Sequence, residues 1–99
     1  MRDKVLSLLG LFKKSGKVVS GEFSCEKAVK EKKAYLVIVA EDASDNTRKL
    51  FSDKCRSYDV PCFIYGTKSS LGKALGVAER ASAAVLDEGM AKAVISKLL

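Results

Sequence analysis

A chain of 99 residues, 47% hydrophobic and 30% charged with a single proline, has the bulk for one core-bearing domain over residues 1–99 and lacks the composition of a disordered polymer. Eighteen Lys and Arg against twelve Asp and Glu give a net charge of +6, which favours an acidic partner such as nucleic acid. The absence of histidine removes Ser–His and Cys–His nucleophile pairs and most metal sites, so neither metal nor cofactor is expected.

Val5, Leu8, Leu9 and Phe12 recur at i, i+3, i+4 and i+7, which predicts a first helix with Asp3 as its cap and Gly16 closing it. Lys17 to Ser20 reads as a short strand. Gly21 ends it, and Ser24 is the expected cap of a second helix with Cys25, Ala28 and Val29 facing inward. Tyr35 to Ala40 is an unbroken apolar, β-branched run, the mark of a central strand covered on both faces. The polar cluster Glu41 to Asn46 offers caps for a third helix, whose inner face would be Thr47, Leu50, Phe51, Cys55 and Tyr58.

Pro61 to Tyr65 predicts another strand, stopped by Gly66. Ser69 or Ser70 would cap a short fourth helix, Leu71 to Leu75, with Gly76 as terminator and Gly72 as a close-packing position. Ala81 to Leu86 reads as a last strand. Asp87 caps a final helix with Met90, Ala93, Val94 and Leu98 inside. Strict α-β alternation with continuous apolar strands predicts an α/β fold, a three-layer α/β/α sandwich with a mixed sheet of about four strands.

Cys25, Cys55 and Cys62 are an odd number at spacings of 30 and 7, neither a disulfide framework nor a zinc pattern. They read as reduced, buried thiols of a cytoplasmic protein. The N-terminal apolar stretch is too short for a membrane span, and no membrane partner is expected.

Chemistry concentrates at the stretch from Gly21 to Val29. A helix start there offers free backbone N–H groups and a positive dipole end, and Lys27 and Lys30 add cations. Residues 13–33 hold seven lysines against three glutamates, so most of the surplus charge falls in this window. Three other segments carry candidate chemistry. Glu41-Asp42 follows the central strand, but with no further ligands it reads as capping. Lys68 precedes the fourth helix and is a candidate ligand contact. In the connector Val77-Ala78-Glu79-Arg80, an apolar pair beside an arginine suits an exposed base and its phosphate.

Ser20-Gly21 with Lys27-Ala28-Val29, the run Leu36 to Ser44, Cys55 followed by Val60-Pro61, and Leu71-Gly72-Lys73-Ala74-Leu75-Gly76 together resemble the kink-turn RNA-binding ribosomal protein family, most of all its small bacterial YlxQ-type members. The resemblance covers most of the chain. It implies the α/β/α sandwich, binding of structured RNA without catalysis, and partners among ribosomal RNA and ribosomal or other ribonucleoprotein proteins, with the chain acting as a monomer. In the family, a Gly-x-Asn-Glu-x-x-Lys motif reads the sheared G·A pairs of a kinked RNA. Gly21 and Lys27 match it, Phe23 stands at the asparagine position and Ser24 at the glutamate position. The RNA-binding set expected on both grounds is Gly21, Glu22, Phe23, Ser24, Lys27, Lys30, Lys68, Val77, Ala78 and Arg80.

Two other classes are compatible with the sequence. Phe23 in a basic patch would suit a protein–protein adaptor on the same fold. Cys25, near a basic helix start, would suit a thiol nucleophile if it were exposed.

Overall fold

Five helices and four strands alternate along the chain in the computed structural model, which describes residues 3–99. The elements are α1 (Lys4–Lys14), β1 (Val18–Ser20), α2 (Glu22–Lys30), β2 (Leu36–Val39), α3 (Asp45–Tyr58), β3 (Cys62–Ile64), α4 (Lys68–Leu75), β4 (Ser82–Val85) and α5 (Glu88–Leu98). The strands form one mixed sheet in the order β1-β4-β2-β3, with β4 antiparallel to both β1 and β2, and β3 parallel to β2. The expected α/β architecture is the one observed.

The two central strands are buried along their whole length. β2 supplies bulk through Leu36, Val37, Ile38 and Val39, whereas β4 is Ser82-Ala83-Ala84-Val85, small enough for helices to approach both faces. Helices α2 and α3 pack together on one face, and α1 lies between α4 and α5 on the other. Phe51, Cys25, Val29 and Cys55 fill the first interface, while Leu9, Leu71 and Val94 are buried beneath the second group of helices. Removing one such large apolar side chain costs about 2–5 kcal/mol.

Helix starts decide which end of the sheet carries free polar groups. Four helices have side-chain caps. Asp3 accepts from the N–H of Leu6, Ser44 from Thr47, Thr67 from Ser70 and Asp87 from Met90. The expectation for α4 is corrected here: Thr67, not Ser69 or Ser70, is its cap, and the helix begins at Lys68. Ser70 takes the reciprocal role, its hydroxyl accepting from the Thr67 N–H at 2.9 Å, so both residues close a capping box. The inner face of α3 is also narrower than its periodicity predicts. Phe51 and Cys55 are buried, but Tyr58 in the last turn is exposed. On α5, Ala91 joins Val94 as a buried position.

Glycines set two close approaches on the α4 side. A Cβ on Gly10 would lie 2.7 Å from the Ala74 carbonyl oxygen, which is how α1 and α4 come together. A Cβ on Gly72 would overlap the Ala78 backbone outright, so the segment after α4 folds back tightly along its own helix.

Candidate nucleic-acid interface

α2 starts differently from the other four helices. Ser24, expected as its cap, sits inside the first turn, and Gly21 occupies the cap position with φ 93° and ψ 155°. Side chains of L-residues avoid that conformation, and glycine enters it without strain. Glycine has no side chain to turn back onto the helix, so no side-chain cap forms. The Gly21 N–H donates to the Ser82 carbonyl oxygen at 3.1 Å, and its own carbonyl accepts from Cys25 at 3.0 Å. The N–H groups of Glu22, Phe23 and Ser24 have no hydrogen-bond partner among the described residues. Three unsatisfied donors and the helix dipole therefore face outward at one point.

Neighbouring strands bring distant residues to this point. Because β4 pairs with β1, Arg80, just before β4, comes beside the end of β1. Its Nε donates to the Ser20 hydroxyl at 3.1 Å, and its Nη1 donates to the Glu79 carbonyl at 2.9 Å. The backbone N–H of Arg80 donates to the Lys68 carbonyl at 3.1 Å, which sets the start of α4 beside the same edge. The guanidinium is thus held in place by two hydrogen bonds and keeps donors to spare. The Glu22 carboxylate accepts from the Thr47 hydroxyl at 3.0 Å.

The expected site residues divide into those gathered here and those held elsewhere. Gly21, Glu22, Phe23, Ser24, Lys68 and Arg80 share this end of the sheet, with Lys27 about one turn further along α2. Phe23 is 80% exposed. Lys27 is exposed and forms no ion pair among the described residues. In the connector, Val77 is half-buried against the core and Ala78 is exposed, so the apolar surface offered to a base is mainly Ala78. Lys30 is the last residue of α2, about 13 Å along the helix from Gly21, and is bridged to Glu26 at 3.3 Å.

The lysine surplus of residues 13–33 does not gather around Gly21. β1 runs the height of the sheet from Lys17, whose carbonyl accepts from Leu86 at the far end of β4, and α2 runs back to Lys32 and Lys33 beside Tyr35. Lys13, Lys14, Lys17, Lys32 and Lys33 therefore belong to the opposite end of the molecule. The cations at the α2 start are instead Lys27, Lys68 and Arg80, two of them from the distant second half of the chain.

Of the acidic groups near the site, Glu22 and Asp42 are engaged in structure. Asp42 accepts from the backbone N–H of Lys68 at 2.8 Å, adding a second anchor to the start of α4. No cluster of three or more His, Cys, Asp and Glu suited to a metal occurs among the described residues. Cys25 is fully buried, and burial pushes its thiol up to about 12, only partly offset by the Ser82 hydroxyl. It is not an activated nucleophile. Hydrogen bonding to Cys62 and burial raise the Cys55 thiol as well.

A mixed four-stranded sheet between helical layers is a fold shared with known proteins. The chain belongs to the ribosomal protein L7Ae/L30e/S12e/Gadd45 family, whose model matches residues 3–95. It is 43% identical over 91 residues to the RNA-binding protein YlxQ of Bacillus subtilis (strain 168), spanning 92% of this chain and 91% of that protein. An RNA-binding protein YlxQ of Enterococcus faecium is 36% identical over 91 residues, 92% of this chain and 87% of its own length. A Bacillus halodurans protein described as of unknown function superposes with a TM-score of 0.94 at 36% identity, covering 98% of both chains. The Giardia lamblia 15.5kD RNA binding protein has the same fold, with a TM-score of 0.81 at 24% identity over 99% of this chain and 88% of its own. No described helix is long and apolar enough to cross a membrane.

Proposed function

We propose that this chain is a non-catalytic binder of structured RNA, with kinked RNA as its preferred shape and ribosomal RNA as the natural source of such folds. The reading rests on one observation above all. α2 alone of the five helices begins without a side-chain cap, and its free N–H groups open beside Arg80 and Lys27. The family membership and the names of the relatives support RNA as the ligand.

In this mechanism the chain supplies charge and shape. Phosphates crowded together by a sharp kink meet the N–H groups of Glu22, Phe23 and Ser24 and the side chains of Lys27, Lys68 and Arg80. Arg80 presents fixed donors, while the lysines adapt to the backbone. Ala78 covers a base splayed out by the kink. Nothing in the mechanism requires bond making or breaking.

The test compares a kink-turn RNA with a matched duplex in which the G·A pairs are replaced by Watson–Crick pairs, both at the same salt concentration. Preference for the kinked RNA, with affinity falling steeply as salt rises, is the expected result. Equal affinity for the two RNAs overturns recognition of the kink.

A further inference from the structure

Phe23 is the most exposed large aromatic side chain in the fold, 80% accessible, and it belongs to no core cluster. An aromatic residue is a middling helix former and contributes no cap at this position, so local structure does not account for it. On α2, Phe23, Lys27 and Lys30 fall at i, i+4 and i+7 and form one stripe. Beside that stripe lies a shallow cleft of about 230 Å³ lined by Phe23, Glu26, Lys27, Lys30 and Glu31. This is smaller than a site for a drug-sized ligand, and fits a single planar ring system.

The charges around the ring are unequal in availability. Glu26 is held by Lys30 at 3.3 Å and approached by Lys54 at 4.0 Å, and Glu31 by Lys33 at 3.4 Å. Lys27 carries no such partner among the described residues. What remains is one flat aromatic face with one uncommitted ammonium a helical turn away. A protein anchor would sit within a surrounding apolar ring that excludes water. Here the cleft beyond Phe23 is lined by charged residues. A nucleotide, with a π-face and a phosphate, matches both features together. A phenyl ring has no donor or acceptor, so it takes a base by its face, whatever the base's edge.

We infer that Phe23 is a stacking platform for one unpaired base of the bound RNA and that Lys27 holds the phosphate of that nucleotide. The inference rests on the RNA-binding reading above and deepens it. It makes the substrate class an RNA with an extruded base, and this contact indifferent to base identity.

The experiment uses the full chain, the kink-turn RNA, and a series in which each unpaired nucleotide is replaced in turn by an abasic ribose. One abasic position should weaken wild-type binding about tenfold, and Phe23→Ala should weaken binding of the parent RNA about tenfold while becoming insensitive to that position. Phe23→Tyr should retain both affinity and sensitivity. The exposed ring makes an unchanged melting temperature the expected control for Phe23→Ala. Wild-type-like affinity of Phe23→Ala, the result an anchor for a protein partner would give, overturns the inference. So does a loss that merely adds to the abasic effect. If the wild type binds none of these RNAs, the RNA-binding reading itself falls. Kink-selective binding that ignores Phe23 overturns the stacking contact alone.

Discussion

α2 and α4 begin at the same end of the sheet, on opposite faces, and they are finished in opposite ways. At α4, Thr67 and Ser70 cap each other's backbone and Asp42 takes the Lys68 N–H. At α2, Gly21 turns the chain with a left-handed φ and leaves the first turn bare. The fold therefore satisfies one helix start from within and leaves the other with free N–H groups. The difference teaches that one end of a sheet can be rigid and still carry unmet hydrogen-bonding capacity. Rigidity is delivered by α4 and by Arg80, which anchors to Ser20. Capacity is delivered by α2.

The harshest way to break this arrangement is Gly72→Ala. The new methyl group would overlap the Ala78 backbone, and the expected cost is about 2–4 kcal/mol of stability, read as a lowered denaturation midpoint. A variant as stable as the parent would show that the Val77–Arg80 segment is not pressed against α4. Gly21→Ala comes next. Open space surrounds the position, so any cost is backbone strain at φ 93°, about 1–3 kcal/mol in thermal or chemical melts.

A paired substitution then separates the two helix starts. Lys27→Ala should weaken RNA binding about tenfold, or about 1.4 kcal/mol, with the melting temperature nearly unchanged. Thr67→Ala should do the reverse, costing about 1 kcal/mol of stability while leaving RNA affinity intact once the protein is folded. Equal behaviour of the two variants in both assays would erase the distinction.

The mildest effect concerns Asp3, the cap of α1, whose carboxylate also accepts from the Tyr65 hydroxyl at 2.6 Å. Burial alone would raise its pKa, but the Tyr65 hydroxyl and the N–H groups of Leu6 and Val5 outweigh it and hold the carboxyl below the usual range. A lowered folded value means the stabilisation is present above the ordinary carboxylate pKa and lost as the pH falls through the folded one. Melts of wild type and Asp3→Asn should therefore converge as the pH falls through and below the ordinary carboxylate range. A gap that persists unchanged into strong acid would rule out this role for the Asp3 carboxylate.

Much of the framework was legible in the sequence because apolar runs report burial directly. Leu36 to Val39 and Ser82 to Val85 are buried on both faces, and their composition says so. Cap assignment was harder. Thr67, Ser69 and Ser70 are all cap-forming types, and only the backbone path selects Thr67. Ser24 was the natural choice at α2, because nothing in its chemistry reveals that Gly21 has already turned the chain. The charge window misled for a geometric reason. Residues 13–33 traverse β1 and α2, about 10 and 13 Å long, so lysines adjacent in sequence separate to opposite ends. The Arg80–Ser20 contact spans 60 residues and depends on β4 lying beside β1, a strand order that periodicity does not encode.

That strand order also governs when the interface can exist during synthesis. β4 is the last strand of the sheet in chain order yet lies between β1 and β2, so β1 cannot join the β2–β3 pair until β4 is in place. The bond from the Gly21 N–H to the Ser82 carbonyl, which fixes the start of α2, joins residues 61 positions apart. Such long-range pairing is slow to form. A nascent chain halted before residue 80 would carry the whole Gly21–Lys27 stretch and still lack the arginine anchor and the strand that aim it. Competence to bind thus arrives late and all at once, so fragments released prematurely would not compete with the finished protein for its RNA.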